Sequence, residues 1–115
     1  MTLKEIESKF ILNDGEIISC LMNFDEIKFV SIILKVRENV GGKISDLKLE
    51  FKFYEIIECE IFENVDSKYY SDITLLQTEN QDYYLSLDPY DNSNVPNEND
   101  NFIVKSKNLE ILRKD

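Results

Sequence analysis

The sequence predicts a mainly β protein: an antiparallel sheet closed into a sandwich or partial barrel, with one short N-terminal helix packed on it. Three observations carry this. Hydrophobic residues recur at helical spacing only before Gly15; after it they alternate with polar residues; and short turn signals separate the alternating runs.

The helix is predicted over Thr2 to Leu12. Leu3, Ile6 and Phe10 fall on one face, with Lys4, Glu5, Glu7 and Lys9 between them. Thr2 followed by Glu5 matches a capping box, in which hydroxyl and carboxylate each satisfy an amide that the first helical turn leaves free. Asn13-Asp14-Gly15 is the predicted stop, with Gly15 free to take positive φ.

Beyond Gly15 the period becomes two. Ile18, Cys20, Met22 and Phe24 alternate with Ile17, Ser19 and Leu21, which predicts a strand. Lys28 to Val36 is a second, and the paired glycines of Asn39-Val40-Gly41-Gly42-Lys43 suit the hairpin after it. Apolar residues on both faces of Ile17 to Met22 and Phe29 to Val36 predict that these strands lie at the centre of the sheet. Leu47, Leu49, Phe51 and Phe53 face one way while Lys48, Glu50 and Lys52 face the other. Ile57, Cys59 and Ile61 continue that parity, so the interruption at Tyr54-Glu55-Ile56 reads as a bulge or a corner.

Asn64 to Ser71 is a polar connection carrying Tyr69-Tyr70. Ile73 to Gln77 and Tyr83 to Leu87 read as strands, and Phe102 to Leu112 as a last strand with a bulge at Ser106-Lys107, ahead of a frayed Arg113-Lys114-Asp115 end. Between them, Asp88 to Asn101 is rich in Asp, Asn, Ser, Pro and Glu. A loop of that length is uncommon in a compact domain and is either functional or disordered.

At 115 residues, 43% of them hydrophobic, the chain is a single domain that can fold around its own core without a metal or disulfides. Met1-Thr2-Leu3-Lys4-Glu5 opens on charge rather than on a basic segment and an apolar run, so a cytoplasmic location is expected, without a signal peptide or membrane span. Cys20 and Cys59, far apart and set in apolar strand positions, are predicted to be buried and reduced.

The charge is lopsided: 23 acidic against 13 basic side chains, a formal net charge of -10. That field repels nucleic-acid phosphates and anionic membrane surfaces and favours encounter with basic proteins, though it also serves mere solubility. With 0 histidines the chain lacks Ser-His and Cys-His nucleophilic pairs and the commonest zinc ligand. Two separated cysteines do not complete a zinc site, and three glycines do not form a phosphate loop. Paired carboxylates such as Glu58 and Glu60 share the polar face of one strand, which is ordinarily a solvated face. The Asp88–Asn94 run invites a calcium reading, but a loop counted from Asp91 puts Pro96 and Phe102 where an EF-hand needs glycine and glutamate. An Asp-Pro turn with Asx-type hydrogen bonds fits better. No enzyme activity, cofactor or metal is expected.

A binding surface is what remains. Tyr69, Tyr70 and Tyr90 flank the acidic loop, whose carboxylates include Asp88, Asp91, Glu98 and Asp100. Tyrosine beside carboxylate combines large, low-entropy contact area with charge for a basic protein partner, a toxin or nuclease among the candidates.

The stretch Tyr84-Leu85-Ser86-Leu87-Asp88-Pro89-Tyr90-Asp91, with Asn99-Asp100-Asn101-Phe102 and Lys107-Asn108-Leu109-Glu110-Ile111, resembles the C-terminal third of small bacterial proteins grouped with the immunity proteins of polymorphic toxin systems. The resemblance implies a bacterial protein that neutralises a partner by stoichiometric binding, and it transfers no defined functional residues. The expectation is therefore an immunity-type inhibitor, monomeric or weakly dimeric. The alternative is an acidic mimic of nucleic acid that inhibits a nuclease or CRISPR effector, a reading that interspersed Lys48, Lys52, Lys105 and Lys107 weaken.

Overall fold

The computed structural model describes residues 1–23, 25, 28–61 and 68–114. Among these residues one helix, α1 (Leu3–Lys9), precedes seven strands: β1 (Phe10–Asn23), β2 (Phe29–Val40), β3 (Lys43–Glu60), β4 (Tyr69–Tyr70), β5 (Thr74–Gln77), β6 (Tyr83–Asp88) and β7 (Asn101–Lys114). Every pairing is antiparallel, and the order across the sheet is β4-β1-β2-β3-β7-β6-β5. The two edge strands, β4 and β5, follow one another in the chain with only residues 71–73 between them. So short a link holds the edges near each other, and the sheet is curled into a half-barrel.

The predicted mainly β fold with one helix is what forms. Alternation lines the inner face: Val30, Ile32 and Leu34 of β2, Leu49, Phe51 and Phe53 of β3, and Leu85 and Val104 are fully buried. The helix adds Ile6, also fully buried in that core. Thr2 caps it, its Oγ1 accepting from the Glu5 amide at 3.2 Å; of the predicted capping box only this half forms, the Glu5 carboxylate accepting instead from the Thr2 hydroxyl at 3.4 Å.

Several expectations are corrected. The helix stops at Lys9 rather than Leu12, and Phe10–Leu12 already belong to β1. Phe10 is needed by the core on either reading, and pairing with Glu38 of β2 draws it into the sheet. Asn13-Asp14-Gly15 lies inside β1, in an irregularity between Ile11 and Glu16. The positive φ there belongs to Asp14 (54°), not to Gly15. Gly15 is required for space instead: a Cβ at this position would overlap the ring and hydroxyl of Tyr70.

β1 is not central but second from the edge, and beyond Glu16 no strand described here pairs with its outer side. Its two-sided apolar character leaves Ile18, Leu21 and Met22 exposed. Cys20 is likewise exposed rather than buried, and Cys59 is half-buried; both are free thiols. The Cys59 Sγ lies 3.9 Å from the Met22 Sδ, and its thiol is close enough to Cys20 to act on it electrostatically. Surrounding chain, with the Cys59 thiol beside it, pushes the Cys20 pKa up to about 11.

The interruption in β3 is a bulge. Ile56 pairs with Ser106 and Glu58 with Lys105, leaving Ile57 as the extra, exposed residue, and Glu55 takes positive φ (53°). The bulge predicted in β7 at Ser106-Lys107 does not form: Ser106 and Lys105 pair in unbroken register with β6, and the extra residue is on β3. Arg113 and Lys114, expected to fray, extend β7 by pairing with Leu49 and Lys48. Gly41 and Gly42, both at positive φ, make the predicted two-residue β2–β3 turn. Part of the Asn64–Ser71 connection, and Phe24 and Asp115, lie outside the described residues. Among the described residues no helix is long and apolar enough to cross a membrane.

Candidate functional site

The 88–101 loop is built around one buried carboxylate. β6 ends and β7 begins with the pair Asp88 and Asn101, whose side chains also bond at 3.2 Å. Between them the chain folds on its own polar groups. Asp91 accepts from the Ser93 amide (3.0 Å) and hydroxyl (2.6 Å), and Asn97 Oδ1 accepts from the Asn99 amide at 2.8 Å. Asp100 lies inside at 4% exposure. Its Oδ1 accepts from the Tyr90 amide at 2.8 Å, and its Oδ2 from the Asn97 amide at 2.9 Å and the Tyr84 hydroxyl at 2.5 Å. Three donors on one buried carboxylate satisfy a charge that would otherwise be costly to desolvate. Burial, then the hydrogen bond and charge of Asp100, with Glu58 and Glu60 adding to them, hold the Tyr84 hydroxyl well above its ordinary range and hence as a donor. The loop is thus an ordered ledge.

The predicted site residues divide. Tyr90, at 64% exposure, stands on the ledge with Asp88, Asp91 and Glu98, all exposed. Asp100 points inward and anchors the ledge rather than presenting charge. Tyr70 is buried, and its hydroxyl donates to the Leu12 carbonyl at 2.7 Å. Burial holds the Tyr70 phenol above its ordinary range, so it too stays a donor. Tyr69 is 64% exposed, but it lines a separate depression of about 140 Å³ with Glu16, Lys35, Arg37 and Asp46. There Lys68 sits 5.5 Å from the Tyr69 ring centroid and bridges Glu16 at 3.0 Å.

A further feature was not legible in the sequence. Between the first residues of β1 and the edge strand β5 lies a cleft of about 460 Å³. Phe10, Leu12, Ile73 and Leu75 give it an apolar lining; Glu7 and Asp72 carry its charge; Asn92 and Asn94 of the ledge close one side. It exists only because the strand order sets β1 across from β5, which no local pattern encodes.

Basic side chains also form a row, with Asp46 beside Lys35 at one end of it and Glu50 beside Lys114 at the other. Lys35, Lys48 and Lys114 stand side by side across β2, β3 and β7. Next to them Glu50, 6% exposed, accepts from Ser31 Oγ at 2.7 Å and pairs with Lys114 Nζ at 3.2 Å. The Ser31 hydrogen bond, against an opposing effect of burial and with help from Lys114 and Lys52, holds the Glu50 carboxyl below its ordinary range.

Among the described residues no three His, Cys, Asp or Glu side chains are placed to hold a metal ion. Comparison with protein-family models gives no match, and neither curated proteins nor solved structures supply a relative of this chain.

Proposed function

We propose that the chain is a non-enzymatic, immunity-type inhibitor that neutralises a basic partner protein in the cytoplasm by covering its working surface. One observation carries the reading: Tyr90, Asp88, Asp91 and Glu98 are displayed on a loop that the buried Asp100 carboxylate already holds in shape. A pre-ordered loop loses little conformational freedom on binding, so its contacts translate into affinity. The net charge of -10 raises the rate of encounter with a cationic surface, and a large amphipathic ring such as Tyr90 is the kind of anchor that slows release. Action by occupancy needs neither a nucleophile nor a cofactor, in keeping with the sequence. The mimic of nucleic acid is the weaker reading, because Lys35, Lys48 and Lys114 interrupt the negative field in one row.

The test is kinetic. With the partner isolated on immobilised protein, the triple variant Asp88→Asn, Asp91→Asn, Glu98→Gln should associate more slowly, with a flatter dependence on salt. Tyr90→Ala should mainly speed dissociation, by an amount on the order of 2 kcal/mol for an anchor residue. Unchanged kinetics for both variants at low salt would place the contact elsewhere.

A further inference from the structure

Natural sheets protect their edges, and the two edges of this sheet differ: among the described residues β4 covers β1 only over residues 14–17, while β5 forms the other edge by itself. β4 is two residues long, and residues just before and after it bond to β1: the Ile17 amide to the Lys68 carbonyl at 2.6 Å, and the Asp14 amide to the Ser71 carbonyl at 2.8 Å. β5, Thr74-Leu75-Leu76-Gln77, has no charge, no proline and no bulge, the usual devices against edge pairing. Among the described residues it pairs with β6 alone, and its Leu75 lines the cleft. Among the described residues no backbone hydrogen bond closes its other side.

We infer that this seam is a strand-addition site for an extended, basic segment of the partner. Such a segment pairs with the open edge of β5 and lays alternate apolar side chains on the half-buried Leu12 and Ile73. Its intervening cations meet Glu7 and Asp72; no Lys or Arg is among the described residues lining the cleft. Charge selects this occupant over a second copy of the chain, since two seams brought edge to edge would oppose like charges on molecules of net charge -10 each. Four residues of β5 span about 13 Å, so the footprint is a segment of about four residues. Asn92 and Asn94 join the seam to the acidic ledge, and the inference rests on the partner-binding reading by locating where the partner's backbone is held.

The experiment uses the full chain, isotopically labelled for NMR, and a capped hexapeptide alternating lysine and valine as the probe. Shifts and slowed amide exchange centred on residues 74–77 are expected. The same shifts should appear in the Asp88→Asn, Asp91→Asn, Glu98→Gln variant. Glu7→Lys with Asp72→Lys, both at exposed positions, should weaken binding about tenfold or more. A peptide N-methylated at alternate residues, which cannot form the ladder, should bind about tenfold more weakly as well. Equal binding of the methylated peptide would overturn strand addition, because charge alone would then explain the affinity. Shifts confined to residues 88–101 would overturn the seam and leave the ledge as the site. Shifts at 74–77 that grow with protein concentration in the absence of peptide would assign the edge to a second copy and overturn it too. Conversely, peptide binding at the seam together with unchanged partner kinetics in the ledge variant would sink the ledge and spare the seam.

Discussion

Asp100 anchors the candidate site without being part of its surface, and its chemistry makes that role measurable. In Asp100→Asn one acceptor oxygen becomes a donor group, so the Tyr90 amide on one side, or the Asn97 amide and Tyr84 hydroxyl on the other, lose their partner. The expected loss is about 1–3 kcal/mol in chemical denaturation, with faster amide exchange at Tyr90 and Asn97. Unaltered exchange at those amides would contradict the anchoring role. Gly15 offers a second residue-scale test. Gly15→Ala forces a methyl into the Tyr70 ring and should cost about 1–3 kcal/mol, while Tyr70→Phe in the same background should recover part of the loss by removing the nearest atom. Additive losses in that double-mutant cycle would mean the two positions do not press on each other. Neither role was legible in the sequence. Asp100 reads there as one acid among many, and burial of a carboxylate depends on a tyrosine sixteen positions away.

At the scale of elements, the strands were legible wherever one face is buried, because period two is then imposed by the core: Leu49, Phe51 and Phe53 are all fully buried. The β3 bulge was legible for the same reason, since a break in parity must be absorbed by an extra residue, here Ile57. What failed was placement. Ile17 to Met22 is apolar on both faces, yet it runs along the outer part of the sheet, because strand order is settled by long-range pairing and by the short 71–73 link. The same failure misplaced Cys20, whose alternation predicts burial only if a strand covers it. The setting of Cys20 yields a prediction of its own. A thiol with a pKa pushed up to about 11 is almost wholly protonated at neutral pH despite its exposure. Alkylation of Cys20 in a Cys59→Ser background should therefore be slow at pH 7 and rise about tenfold per pH unit well into the alkaline range. Removing the Cys59 thiol relieves only the lesser of the two causes, so the curve should move down modestly. Fast labelling at pH 7 would show that its surroundings do not hold the thiol protonated.

For the whole molecule, two electrostatic effects oppose each other as pH falls, and their signs fix the shape of the stability profile. The first is self-repulsion. At neutral pH the chain carries a formal charge of -10, and with an isoelectric point near 4.4 that charge shrinks on acidification, which stabilises the compact state. The second is Glu50. Its folded-state carboxyl is held below the ordinary value, chiefly by the Ser31 hydroxyl, so the unfolded chain takes up a proton there first. Its contribution is complete above the unfolded value, near 4.5, and is lost as pH falls through the depressed folded one. Repulsion therefore dominates from neutral pH down to the isoelectric region, and the carboxylate dominates below it. The melting temperature should climb on acidification from pH 7, pass through a maximum on the acid side of neutrality, and fall below about pH 4. Added salt should raise it at pH 7, where screening relieves repulsion, and have little effect near the isoelectric point, where there is little net charge to screen. Glu50→Gln should flatten the acid limb without altering the salt response at pH 7. Thermal scans at low and high ionic strength across this range check all three expectations. A melting temperature at pH 7 that ignores salt would mean that the paired charges, Arg113 with Glu38 and Lys68 with Glu16 among them, already balance the excess locally, and that the net field is too weak to steer a partner.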